Sequence, residues 1–186
     1  MAVITQQVYY LEWAAADGYC VDMKEEVVIE PKACGQDSAY FPASELLNRT
    51  ADYDALINDW STRNLAFAGQ SGHDQFFQAF GGFAAIADSP ARQDDMVAEV
   101  ANRAASQHVF YLELMATVQG SAVRQLGREV GWNSDLAQMQ RQLLDRGLMD
   151  LVTQGGQQFV DNERQVSTTM GCGTASAQPG CGVTVR

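Results

Sequence analysis

Ser71–Phe80 read SGHDQFFQAF and predict an α-helix that carries an aromatic surface. Ser71 or Asp74 can cap the free backbone amides of the first helical turn. Phe76 and Phe80 are four residues apart, so they share one face of the helix, and Phe77 adjoins them. Three phenylalanines make this helix too apolar to leave in water. Taken alone, the run favours an aromatic stripe of the core.

Two further stretches place this helix in a wider pattern. Tyr10–Gly18 read YLEWAAADG before it, and Val109–Met115 read VFYLELM after it. In this order the three stretches resemble the adenosine deaminase family, most closely the secreted branch related to adenosine deaminase growth factors. The resemblance covers essentially all 186 residues. It implies a zinc-dependent hydrolase that converts adenosine and water to inosine and ammonia.

Length and composition bound the class of protein. A chain of 186 residues with 46% hydrophobic residues can form one domain with a real core. The formal net charge of −11 argues against a nucleic-acid partner, because few cations are present to neutralise phosphates. No apolar run approaches the roughly 20 residues that cross a membrane. Residues 1–7 lack the basic start and long apolar stretch of a signal peptide.

The four cysteines form two pairs that are local in sequence, Cys20 with Cys34 and Cys172 with Cys181. Neither pair has the spacing of a zinc knuckle, so metal binding by cysteine is not expected. Four cysteines allow three pairings, and the sequence does not choose among them. Two short-range disulfides in an exported protein fit this pattern, and free thiols in a cytosolic protein are the alternative.

Helical and strand patterns along the chain predict the fold class. The predicted helices and strands follow in the order helix, strand, helices, strand, and helices dominate. Helical segments are predicted at 6–17, 51–61, 74–86, from Ser89-Pro90 onward, at 121–130 and across 134–170. Residues 18–50 are predicted to be irregular, with one β-like run at Val27–Ile29. Residues 108–116 predict a strand that is apolar on both faces and is therefore buried in a parallel sheet, and another strand begins at Gly182.

This order is that of a (β/α)8 barrel. A complete barrel takes about 250 residues. The predicted fold is therefore α/β, an incomplete (β/α)8 TIM-barrel, and the resemblance implies that it is of the amidohydrolase type. Residues 1–186 are expected to be the N-terminal part of a single hydrolase barrel, with 18–50 as an insertion. The remainder of the barrel would then be needed for a stable fold.

The catalytic groups that the resemblance implies are missing from this sequence. The family holds zinc with a His-x-His pair, a later histidine and an aspartate, and uses a glutamate as proton donor. This chain has only two histidines, His73 and His108, and no His-x-His. We therefore expect no catalytic residue and no metal ligand here. Zinc is expected in the complete parent protein, and this chain alone is expected to be inactive.

The resemblance also implies which residues of this chain contact the substrate. Phe76, Phe77 and Phe80 match the helix that closes over the purine of the nucleoside. His73 precedes that helix, where it can face the ribose or bond the backbone near the helix start. Thr117 follows the strand 108–116 and is expected to line the pocket. Both cysteine pairs fit the secreted branch, so the parent protein is expected to be periplasmic or secreted.

Three other interpretations remain open. The chain can be a non-catalytic relic of a barrel that acts as an interaction protein, paired with another chain that completes its sheet. It can belong to an amidohydrolase whose substrate is a different amine or amide. It can also be a helical domain unrelated to barrels, if the strand at 108–116 is misassigned.

Overall fold

A computed structural model describes residues 2–31, 34, 40–63, 71–115 and 117–186. The chain divides into two compact units, Met1–Gln93 and Asp94–Arg186. Each unit is considered by itself below.

Three helices form most of the first unit: α1 (Ala2–Ala16), α2 (Thr50–Asp59) and α3 (Gly72–Ala87). They correspond to the helices predicted at 6–17, 51–61 and 74–86, although α1 begins four residues earlier. Gly18 follows the end of α1 with a φ of 74°, a left-handed conformation that glycine adopts without a steric penalty.

A three-stranded antiparallel sheet occupies the segment that was predicted to be irregular. Its strands are β1 (Cys20–Asp22), β2 (Val27–Ile29) and β3 (Tyr40–Pro42), in the order β2-β1-β3. The prediction found β2 and missed β1 and β3. Val21 at the centre of β1 pairs with Val28 on one side and Phe41 on the other. Because β3 is an edge strand, Pro42 removes no ladder hydrogen bond from the interior of the sheet. A 3₁₀ turn follows at Ala43–Asn48.

The core of the first unit is centred on Trp60, which is completely buried together with Leu56, Ile57 and Ile86. Phe83 of α3 stacks on Tyr10 of α1 with ring centroids 4.7 Å apart, and it meets Trp60 edge-on at 5.9 Å. Gly82, next to Phe83 on α3, lies directly against the Trp60 indole. The glycine lets the helix approach the tryptophan closely.

Helices also dominate the second unit. They are α4 (Gln93–Ser106), α5 (Gly120–Val130), α6 (Leu136–Asp145) and α7 (Leu148–Thr169). The predicted start at Ser89-Pro90 is a 3₁₀ turn, Pro90–Arg92, that leads into α4. The core packs the alanine face of α4 against the end of α7 and the C-terminal segment. Its buried members are Ala98, Ala101, Ala104, Val166, Met170 and Val183.

Two short parallel strands, β4 (Tyr111–Leu112) and β5 (Thr184–Val185), form the second sheet. The Thr184 amide donates to the Phe110 carbonyl, and the Arg186 amide donates to the Leu112 carbonyl, each at 2.9 Å. A parallel sheet was predicted for this strand, but its pairing with β5 was not, and the strand is much shorter than 108–116. The predicted burial on both faces is wrong for this chain, because Phe110 and Tyr111 are 64% and 54% exposed. Among the described residues, β4 pairs with no strand other than β5.

The described residues form a mostly helical α/β arrangement with two small sheets. No helix in the described part of the chain has the length and hydropathy needed to cross a bilayer.

The cysteines form two disulfides, Cys20–Cys34 and Cys172–Cys181. The structure thus selects the local pairing from the three that the sequence allowed, and the free-thiol alternative is wrong. The first disulfide joins β1 to the segment after β2. The second closes the loop between α7 and β5.

Candidate functional site

Helix α3 begins with a capping box that fixes its first turn. Ser71 Oγ accepts from the Asp74 amide at 3.1 Å, while the Asp74 carboxylate accepts from the Ser71 amide. The Ser71 hydroxyl also donates to Asp74 Oδ2 at 2.8 Å. This bond, then the bond from the Ser71 amide and a smaller contribution from His73, lower the pKa of Asp74 below its usual value. Both residues singled out from the sequence thus cap the helix, each satisfying a donor that would otherwise lack a partner.

The aromatic surface of α3, as we call Phe76, Phe77 and Phe80, faces outward. Their side chains are 43%, 61% and 49% exposed. The ring of Phe76 meets Phe77 and Phe80 edge-on, with centroids 5.3 Å and 5.1 Å apart. The interpretation of these residues as a core stripe is therefore wrong. The buried positions of α3 are Gln75, Ala79, Gly82, Phe83 and Ile86.

His73 lies at the edge of this aromatic surface. Its Nδ1 atom is 3.5 Å from Asp74 Oδ1, and its ring centroid is 4.8 Å from that of Phe77. The imidazole is exposed and pairs with a neighbouring carboxylate. The structure therefore places His73 beside Phe77 at one edge of the aromatic surface.

Thr117 belongs to the second unit and is exposed in the loop between β4 and α5. The sequence placed it at the carboxyl end of a strand, but β4 ends at Leu112. Glu113, in the same segment, is also exposed and accepts a hydrogen bond of 2.7 Å from the Tyr111 hydroxyl. That hydrogen bond raises the pKa of the Tyr111 phenol.

A second group of polar side chains, which the sequence did not reveal, lies at the C-terminal end of α2. The carboxyl groups of Glu26 and Asp59 influence each other's ionisation, and we call them the carboxyl pair. Burial raises the pKa of both groups, and for Glu26 the negative charge of Asp59 adds to the effect. The buried side chain of Gln75 donates to the backbone carbonyl of Asp59. No local pattern could have revealed a pair whose members are so far apart in sequence.

The described residues do not fit a zinc site. Within the described ranges, no three His, Cys, Asp or Glu side chains are grouped so that they could hold a metal ion. All four cysteines are committed to disulfides. A catalytic zinc needs three protein ligands and an open position. We therefore assign no chemical step to a metal held by this chain.

Comparisons with protein-family models, curated proteins and solved structures give no match to this chain. The resemblance to adenosine deaminases therefore rests on the three quoted stretches of sequence. The geometry that bears on function is the exposed aromatic surface of α3, with His73 beside it.

Proposed function

We propose that this chain is the N-terminal portion of an adenosine deaminase-like hydrolase, in which the aromatic surface of α3 lies against the purine ring of a nucleoside. The exposure of Phe76, Phe77 and Phe80 carries the proposal. Three adjacent phenylalanine rings left in water favour a surface that a ligand covers. The order of the three quoted sequence stretches adds the identity of that ligand.

The chemistry of the aromatic surface suits a purine. Flat apolar rings pack against a heterocycle and exclude water from it, and one base stacked on an aromatic side chain contributes about 1–3 kcal/mol. The capping box and the buried face of α3 hold the rings in place, so little conformational freedom is lost on binding. His73 supplies a polar atom at the edge of the surface, where a ribose hydroxyl can hydrogen-bond to it.

The topology of the second unit supports the part of this proposal that concerns a barrel. Strands β4 and β5 are parallel neighbours, and helices α5, α6 and α7 connect them. A strand, a helical crossover and a parallel strand are the repeating unit from which (β/α)8 barrels are built. In the proposal, the zinc ligands and the proton donor belong to the rest of the parent protein. The two disulfides favour a periplasmic or secreted location.

A second candidate is a non-catalytic interaction protein, which the exposed strand β4 favours. Phe110 and Tyr111 are exposed at the start of β4. Among the described residues this sheet has two strands, so its edges can pair with strands of another chain. A purified chain that forms a discrete, stable hetero-complex and binds no nucleoside would favour this candidate. A third candidate is an amidohydrolase that acts on a different amine or amide. A substrate screen distinguishes it from the first proposal.

The test is to read the gene across both ends of this sequence and to express the complete reading frame. The proposal expects an in-frame His-x-His upstream, further strands downstream, and conversion of adenosine to inosine. A complete reading frame without His-x-His, whose product leaves adenosine unchanged, would overturn it. Turnover of another amine or amide, with adenosine untouched, would replace the substrate and keep the hydrolase.

A further inference from the structure

The edge of β4 that faces away from β5 carries backbone groups without partners. The bonds to β5 use the backbone of residues 110, 112 and 114. Alternate residues of a strand direct their amide and carbonyl groups to opposite edges. The amides and carbonyls of Tyr111 and Glu113 therefore point away from β5. Among the described residues, none of these four groups has a hydrogen-bond partner.

The side chains along this edge do not prevent pairing with another strand. Natural sheet edges are often protected by lysine or proline. Residues 109–115 read VFYLELM, which contains neither of them and only one charge, that of Glu113. Phe110 and Tyr111 are exposed, and Met115 is completely exposed. An exposed hydrophobic edge of this kind favours pairing with a further strand.

The sequence of this segment complements its own reverse. Two copies laid antiparallel, with Leu112 opposite Leu112, place each side chain opposite one of matching chemistry. The remaining pairs are Val109 with Met115, Phe110 with Leu114, and Tyr111 with Glu113. Within one copy the Tyr111 hydroxyl already donates to Glu113 Oε1 at 2.7 Å, so these two groups suit each other. Side chains directly opposite each other are the pairs that stabilise neighbouring strands.

Backbone geometry and charge select this register. Tyr111 opposite Glu113 forms two hydrogen-bonded pairs and uses all four free groups of each copy. Glu113 opposite Glu113 would bring two like charges face to face, which is destabilising. Tyr111 opposite Tyr111 would set Glu113 opposite Val109, whose amide already donates to the Ala104 carbonyl at 2.9 Å. Only the first register therefore satisfies the edge.

We propose that β4 pairs antiparallel with β4 of a second copy of this chain, about a two-fold axis at Leu112. The two small sheets then form one sheet in the order β5-β4-β4-β5. Each copy contributes the same surface, so the contact closes as a dimer. The proposal takes the interaction-protein candidate further by naming the partner strand, and it does not rest on nucleoside binding. A strand of the parent barrel is the competing occupant of this edge.

Cysteine cross-linking of the full chain tests the register. Tyr111→Cys and Glu113→Cys proteins are mixed and oxidised, and peptide mapping locates the link. Opposite residues of a hydrogen-bonded pair have Cα atoms about 5.5 Å apart, which a disulfide can span. The mixture is expected to give a cross-linked dimer, and each variant alone is expected to give none. A link formed by either variant alone, or no link in the mixture, would overturn the proposal.

Sedimentation equilibrium tests the pairing itself. The wild type is expected to form a dimer. Phe110→Lys is expected to raise the dimer dissociation constant at least about tenfold, because the two-fold axis places a lysine opposite Leu114 twice. Leu47→Lys is the matched control, since it also replaces an exposed apolar side chain but lies in the first unit. It is expected to follow the wild type.

A monomeric wild type would overturn the proposal and leave this edge to a strand of another protein or of the parent barrel. A dimer that Phe110→Lys does not weaken would overturn it as well. The mass of the wild type decides the matter even if a variant does not fold. Adenosine takes no part in these measurements, so failure of the dimer and failure of the nucleoside proposal are distinguishable.

Discussion

The ring of Phe80 lies edge-on to that of Phe83, with centroids 5.8 Å apart, and joins the exposed aromatic surface of α3 to the buried core. Phe83 in turn stacks on Tyr10 and meets Trp60. The aromatic surface, where we propose that a ligand binds, is therefore supported by rings that the core holds in position. Such support limits the mobility of a binding surface.

Gly82→Ala is expected to destabilise the first unit, because the added Cβ would overlap the indole of Trp60. Trp60 is completely buried and cannot move without breaking its hydrogen bond to Glu26. Overpacking of this kind costs about 1–3 kcal/mol. Urea denaturation followed by tryptophan fluorescence measures the loss.

Gly81→Ala is the control for that substitution. A Cβ at Gly81 meets open space, and alanine favours the helix by about 1 kcal/mol over glycine. This variant is expected to be as stable as the wild type or more so. Equal urea midpoints for the two variants would contradict the close packing of α3 against Trp60.

Asp17→Asn is expected to remove a stabilising contribution that depends on pH. Arg92 donates to both carboxylate oxygens of Asp17, through Nε at 2.8 Å and Nη2 at 2.5 Å. These bonds hold the pKa of Asp17 below its usual value. The contribution is thus present above the ordinary aspartate pKa and is lost as the pH falls through the lowered value.

We expect the Asp17→Asn substitution to cost about 1 kcal/mol at neutral pH and nothing once Asp17 of the wild type is protonated. Denaturation curves of both proteins along a pH series measure the difference. A difference that persists unchanged into strong acid would contradict the ion pair.

Gly180→Ala is expected to destabilise the second unit by about 2 kcal/mol. A Cβ there would lie 2.7 Å from Met170 Sδ and 2.9 Å from the backbone nitrogen of Asn102. It would also disturb the 2.8 Å bond from the Gly180 amide to Asn102 Oδ1. Gly182→Ala, two residues later, meets open space and is expected to be neutral. Thermal denaturation compares the two, and the reverse order of stability would refute this packing.

Replacing Cys172 and Cys181 together by serine is expected to lower the free energy of unfolding by about 3 kcal/mol. The reason is that the disulfide closes a short loop and so restricts the unfolded chain, and the variant loses this restriction. Peptide mapping without reductant tests the connectivity directly. Fragments that link Cys172 to Cys181 and Cys20 to Cys34 are expected. A crossed link between the two pairs would contradict the structure.

Local signals explain which helices and strands the sequence predicts correctly. Helix α3 carries its own capping box at Ser71 and Asp74, and Gly18 ends α1, so both could be placed from neighbouring residues alone. Strands β1 and β3 carry no such signal. Each is three residues long, and each forms only because β1 pairs with both β2 and β3.

Exposure and long-range pairing could not be predicted in the same way. The phenylalanines of α3 were assigned correctly to one helix, but whether they face the core depends on Tyr10 and Trp60, which lie elsewhere in the sequence. The predicted strand at 108–116 is limited to β4 because among the described residues β5 alone pairs with it. The carboxyl pair combines a turn residue with the end of a helix.

The most direct test of the proposed function is adenosine turnover by the complete gene product, compared with its Phe76→Ala, Phe77→Ala, Phe80→Ala triple variant. Leu47→Ala, which removes an exposed apolar side chain of the same unit, is the control. We predict that the wild type and the control produce inosine with the same KM. The triple variant is predicted to need at least about tenfold more adenosine, the equivalent of about 1.4 kcal/mol. An unchanged KM in the triple variant would contradict the role of the aromatic surface, and absence of adenosine turnover by the wild type would contradict the proposed activity itself.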